Sequence, residues 1–231
     1  MKRQSGDVIS ELLSFDGKKI LDIGCGDGSL VRRMTIKGAH VTGLECGHLQ
    51  LEKAYGTDKA GDENYVEGVG ENLPMEDNTF DIVVFFNSLH HIPVNNQAKA
   101  LMEAARVLKP GGQVYISEPV AEGTHFELNK PVDDESIVRK AALSALKDTA
   151  SHGLTEQQEL TYIHRAVHDS YATYRERMIR ILPERKTYFD AHDEAHQKSF
   201  ESFAVKTPDG YAFDQPVRVN LFTKQGLNPK R

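Results

Sequence analysis

Residues 20–30 read ILDIGCGDGSL, and this stretch decides the fold. An apolar run ends on Asp22, glycines follow at Gly24, Gly26 and Gly28, and helical spacing begins at once. A turn from strand to helix that lets a ligand approach the backbone has no room for side chains, and the helix beyond it offers unpaired N–H groups. The dinucleotide fingerprint G-x-G-x-x-G is missed by one residue, because Ser29 stands where its third glycine belongs. A carboxylate two positions before the first glycine repels a pyrophosphate and attracts an ammonium group. The expected ligand is therefore zwitterionic rather than polyanionic.

Working outward, the first half alternates short apolar runs with helical stretches, the pattern of a parallel sheet covered by helices. Strands are expected over residues 19–23, 39–44, 65–68, 81–86 and 113–117, with helices over 28–37, 49–55 and 95–108. The continuous apolar run DIVVFF at 81–86 suits a central strand buried on both faces. From Pro119 to about Phe203 no strand is expected. Helices are read instead at 134–147, over a long stretch with a capping box of Thr155 and Gln158 and an apolar stripe from Leu160 to Ile181, and at 188–203. Residues 217–223 then alternate like a strand. The fold class expected is α/β: a Rossmann-like, doubly wound, seven-stranded, mostly parallel sheet. Residues 1–118 and 206–231 would form its core and residues 119–205 a helical lid.

Composition narrows the function. The chain has 231 residues, 39% hydrophobic and 27% charged, with no apolar run near the roughly 20 residues that span a bilayer. Two cysteines, Cys25 and Cys46, fit a reducing, cytosolic (cytoplasmic) address and exclude a disulfide scaffold. A net charge of −6 disfavours a nucleic-acid partner. A small-molecule enzyme is the expectation, and no membrane partner is expected.

Glu45 ends the second strand 23 positions after Asp22, where doubly wound folds place a carboxylate that accepts hydrogen bonds from ribose hydroxyls. A nucleoside is thus implied beside the zwitterion. His90 and His91 follow the central strand, at the edge where open sheets bind ligands, and a neutral imidazole there can take a phenol or amine proton. Glu118, at the end of the next strand, is placed to orient a histidine or a polar substrate group; a solvated strand-end acid is the plainer alternative. The pairs His164 with His168 and His192 with His196 have helical i, i+4 spacing, but no metal site is assigned to them, since chance pairs are expected among 10 histidines.

The ordered set D-x-G-x-G-x-G, Glu45, ENLPMEDNTFDIVV, SLHHI and RVLKPGGQVYISEP resembles the class I S-adenosylmethionine-dependent methyltransferases, in their small-molecule branch with the ubiquinone and menaquinone biosynthesis enzymes. The resemblance covers about residues 15–118. It implies S-adenosyl-L-methionine as cofactor and transfer of its methyl group to an O, N or C nucleophile of a small molecule. It also implies that the loop Gly24–Gly28 floors the site, that Asp22 meets the methionine ammonium and Glu45 both ribose hydroxyls, that Asn87 lies beside the methionyl part, and that Gly70 and Glu71 edge the adenine. Many relatives carry Asp where this chain has Val69, so one hydrogen bond to the adenine amine is missing. That departure leaves a second possibility, a non-catalytic methyltransferase-like module that binds a ligand or protein partner. The methyl acceptor and the oligomeric state are not legible.

Overall fold

Strands and helices alternate because apolar runs of four to seven residues are each followed by an amphipathic stretch. The computed structural model describes residues 2–225. In chain order the elements are β1 (Lys2–Arg3), α1 (Ser5–Leu12), β2 (Lys19–Ile23), α2 (Ser29–Ile36), β3 (His40–Glu45), α3 (His48–Tyr55), β4 (Asn64–Glu67), β5 (Phe80–Phe86), α4 (Gln97–Val107) and β6 (Leu108–Pro119). They continue with α5 (Thr124–Asn129), α6 (Ser136–Ala145), β7 (Leu154–His168), α7 (Tyr171–Ile181), α8 (Arg185–Phe203), β8 (Val205–Thr207) and β9 (Gly210–Lys224). The strand order is β1-β7-β9-β6-β5-β2-β3-β4, with β8 paired to β9. Among the described residues that makes nine strands rather than the expected seven: β1 and β8 are too short to show in the sequence pattern, and β7 lies where a helix was expected.

The chain divides into two compact units. The larger comprises Ser5–Glu118, Lys140–Leu160 and the chain from Arg218 onward. In it β4, β3, β2, β5 and β6 pair in parallel, with Asp22 in register with Gly43 on one side and Val84 on the other. Its core joins Leu21, Ile23, Val83, Phe85, Leu101 and Ile116, all but excluded from water. Each such side chain contributes about 1.5–3 kcal/mol on burial, which fixes the strand ends that carry the polar residues.

The smaller unit comprises the chain up to Gln4, Pro119–Arg139 and Thr161–Val217. Leu128, Tyr174, Phe189, Phe200 and Phe213 form its separate core. Here the structure corrects the expected long helix. Residues 154–168 are strand, and the helix begins only at Tyr171, capped by Ser170, whose side chain accepts the Thr173 N–H. Thr155 and Gln158 therefore cap nothing. Thr161, Tyr162, Ile163 and Val167 favour strand, and pairing such as Lys2 with Ile163 outweighs the helical spacing. No helix among the described residues is long and apolar enough to cross a membrane.

Candidate cofactor and catalytic site

The larger unit carries its polar groups at the carboxyl ends of β2, β3, β5 and β6. Asp22 is 1% exposed, and its Oδ1 atom has no hydrogen-bond partner among the described residues. Burial, and after it the charge of Glu45, pushes the Asp22 carboxyl up to about 7. An orphaned buried carboxylate is costly unless a cation completes it.

The loop after Asp22 turns on left-handed glycines. Gly24 has φ +73°, and a Cβ there would lie 2.6 Å from Ser88 Cβ, whose Oγ donates to the Ile23 carbonyl at 2.5 Å. Gly26 has φ +57°, yet a Cβ there would meet nothing within 4 Å, so open space lies over that peptide. Glu45 holds the loop from the side: its Oε2 accepts the Gly26 N–H at 2.8 Å and its Oε1 the Gly47 N–H at 2.7 Å. A cavity of about 240 Å³ is lined by Asp22, Gly24, Cys25, Leu30, Arg33 and Phe86, among others. The cradle, the orphaned acid and the open peptide suit the aminoacyl and ribosyl parts of an adenosyl amino acid.

Of the expected cofactor residues only Asp22 and Gly24 line this cavity; Gly26, Gly28, Glu45, Asn87, Gly70 and Glu71 are not among the residues that do. Asn87 adopts φ +55° and donates its N–H to the Ser117 carbonyl at 2.7 Å, which ties the β5 end to β6. Gly70 is buried against Ile23 and Ile92, where a Cβ would overlap both side chains. The Glu71 carboxylate accepts from Asn96 Nδ2 at 2.8 Å. Val69 is 41% exposed and forms an isolated bridge to Asn72.

The structure joins His90 and Glu118. They are 3% and 2% exposed, and Glu118 Oε2 bonds His90 Nδ1 while Glu118 Oε1 accepts the Leu89 N–H at 2.9 Å. An ionised carboxylate only accepts, so Nδ1 carries the proton. His91 is exposed, with its ring centroid 4.0 Å from that of His90.

The remaining histidines divide differently from their spacing. His164 and His168 lie on β7, a strand, rather than one helix turn apart. His192 sits at a break in α8, with φ −131°, and is exposed, whereas His196 is buried and bonded to tyrosines, so these two do not act as a helical pair. Sequence reasoning missed Arg33 and Ser88. Ser88 stands inside the SLHHI stretch and was within reach of a closer reading; nothing in the spacing marks Arg33.

A family model described as "Methyltransferase domain" matches residues 21–116. The ubiquinone biosynthesis O-methyltransferase of Dechloromonas aromatica (strain RCB) is 36% identical over 117 residues, 48% of each chain. That of Hahella chejuensis (strain KCTC 2396) is 34% identical over 179 residues, 68% of this chain and 71% of the relative. The chain spans about half the length of most of the curated relatives it matches. A crystal structure from Bacillus halodurans C-125, described as a candidate methyltransferase, has a TM-score of 0.65 at 21% identity, covering 96% of this chain and 99% of that one. That likeness bears on the fold alone, while the Hahella match extends well past the shared motifs. The chain belongs to the S-adenosylmethionine-dependent methyltransferase family.

Proposed function

We propose that this chain transfers a methyl group from S-adenosylmethionine to a small-molecule nucleophile in the cytosol, and that a phenolic hydroxyl is the acceptor class best supported. The buried, unpartnered Asp22 carboxylate beside an open glycine loop carries the reading. The O-methyltransferase relatives favour oxygen over nitrogen or carbon.

When bound, S-adenosylmethionine supplies an electrophilic methyl group on a sulfonium, open to in-line displacement. Asp22 then holds the ammonium, which restores the ionised form that burial disfavours. Glu45, already fixed by two backbone amides, accepts from the ribose hydroxyls without reorganising. The Asn87 backbone would border the methionyl part, and the Gly70–Glu71 segment would edge the adenine. His90 Nε2 takes the proton of the acceptor hydroxyl, and Glu118 stabilises the resulting imidazolium through Nδ1. His91 flanks this base at the surface.

The test is incubation with methyl-labelled S-adenosylmethionine and a panel of phenols, with an amine panel in parallel. Label in a phenol fraction supports the reading, label only among amines moves the acceptor class, and none in either leaves the second reading. That reading, a non-catalytic binding module, is favoured by one observation: Val69, 41% exposed beside Gly70, offers the adenine no acid.

A further inference from the structure

Arg33 stands in the last turn of α2 and lines the same cavity as Asp22. Its neighbours in sequence are engaged: Arg32 donates to the Tyr65 hydroxyl at 3.2 Å, and Lys37 donates to Ser10 Oγ at 2.7 Å. Arg33 has no ion pair and no hydrogen bond among the described residues. Its placement is not left to chance, however. A Cβ on Gly6, in the first turn of α1, would overlap both terminal nitrogens of Arg33, so the guanidinium rests directly on the Gly6 backbone. The absent side chain at Gly6 makes that seat, and no other residue type would leave it.

One cavity is therefore lined by an orphaned buried carboxylate and by an arginine with no ion pair among the described residues; Asp27, the other acid on its wall, is held by the Ser29 N–H and hydroxyl. A cation alone would satisfy Asp22 and leave Arg33 unpaired, and an anion alone would do the reverse. An α-amino acid carries both charges on one carbon. We propose that Arg33, seated by Gly6, receives the α-carboxylate of the cofactor's methionyl group, so that the cavity selects amino-acid-bearing adenosyl compounds over decarboxylated ones. This rests on the cofactor reading above and assigns a specificity determinant to it. The planar fork of the guanidinium matches both oxygens of a carboxylate, which a lysine at this position would not.

The test is isothermal titration with two probes that differ only in the carboxylate: S-adenosylhomocysteine and its decarboxylated analogue, S-adenosyl-3-thiopropylamine. The parent protein is expected to bind the first about tenfold more tightly, the lower end of the range for a hydrogen-bonded charge pair, because Arg33 is exposed. Arg33→Met should abolish this preference by weakening S-adenosylhomocysteine alone. Arg33→Lys should restore only part of it. Gly6→Ala, which unseats the guanidinium without removing it, should reduce the preference with Arg33 still present; circular dichroism checks that α1 persists. Equal losses for both probes in Arg33→Met, or no loss for either, overturns the assignment while the cofactor reading stands. Failure of the parent to bind S-adenosylhomocysteine at all overturns the cofactor reading, and this inference with it.

Discussion

Glu45 reaches across 19 residues of chain to accept the N–H of Gly26 at 2.8 Å, so the acid expected to meet a ribose also shapes the loop expected to cradle the methionine. The two tasks are coupled through one side chain. Glu45→Ala should therefore weaken S-adenosylhomocysteine binding well beyond tenfold, and should also cost about 1–3 kcal/mol of stability by stranding the Gly26 and Gly47 amides. Titration calorimetry and urea denaturation read the two effects separately. Unchanged affinity would show that the ribose assignment is wrong even if stability fell.

Asp22 makes binding depend on pH. Its carboxyl is raised from the ordinary 3.8 to about 7, first by burial and then by Glu45. A raised carboxyl pKa means that the folded protein keeps a proton which the unfolded chain releases. The associated stability is fully present below about 3.8 and is lost as pH rises through about 7. A ligand ammonium reverses the preference, so binding at pH 6 should release close to one proton, seen as a dependence of the measured heat on buffer ionisation enthalpy. Asp22→Asn should remove that proton release, weaken binding, and raise the stability of the ligand-free protein at pH 8. A buffer-independent binding heat at pH 6 in the parent would contradict the assignment.

The His90–Glu118 pair is testable without knowing more of the acceptor than that it is methylated. Glu118→Gln offers a donor where the Leu89 N–H or His90 Nδ1–H needs an acceptor, so the imidazole loses its fixed tautomer. The expected result is a fall in kcat of about 10²–10⁴, the range for general base catalysis, with S-adenosylhomocysteine affinity little changed. His91→Asn should cost far less. The split between kcat and KM separates a base from a strut: losing the base lowers kcat with KM held, whereas a purely structural role moves both.

Through about residue 118 the sequence exposed most of the fold, and the reason is local. Strands buried on both faces, such as DIVVFF, must be continuously apolar, and the helices between them carry their own breakers; α4 begins two residues after the expected start and ends one before the expected end. Beyond Pro119 the same reasoning misread β7. Leu160, Ile163 and Val167 fall at helical spacing and continue smoothly into the true α7, so the stripe alone could not reveal a strand whose partners lie far away in sequence. The candidate site divides in the same way. Asp22, the three glycines and Glu45 announce themselves by spacing; the structure brings Asp22 and Gly24 to one cavity and ties Glu45 to the loop at Gly26, while Gly28 faces Tyr65. Arg33 was silent because its seat is a glycine 27 positions earlier, a relationship that exists only once α1 and α2 are folded.

The smaller unit holds a chain of neutral polar groups with a single consistent proton arrangement. Tyr188 O–H donates to His196 Nδ1 at 3.3 Å, His196 Nε2–H to the Tyr174 hydroxyl at 3.1 Å, Tyr174 O–H to Asn129 Oδ1 at 2.8 Å, and Asn129 Nδ2 to His125 Nδ1 at 3.3 Å. His168 stacks on His125 with centroids 5.7 Å apart. Burial lowers all three histidines, to about 3 for His125 and about 4 for His168 and His196. At His125 the charges of His168, Arg139, His164 and Arg177 add to this and at His168 that of Arg177, while Asp169 and Asp193 oppose it at His168 and His196 respectively. Each lowered pKa contributes stability that is complete above about 6.5 and lost as pH falls toward 4, at up to about 1.4 kcal/mol per pH unit for each group. Protonating His196 would place a hydrogen on Nδ1 facing the Tyr188 hydroxyl, which would have to turn and accept, while the links from Nε2 through Tyr174 to Asn129 would stand. Urea denaturation should therefore give lower stability at pH 5 than at pH 7, in spite of the opposite contribution from Asp22. His196→Gln, which keeps a buried polar group without the titration, should flatten that slope by about one proton. If the variant's stability fell between pH 7 and pH 5 as steeply as the parent's, His196 would not be a neutral, buried link in this chain.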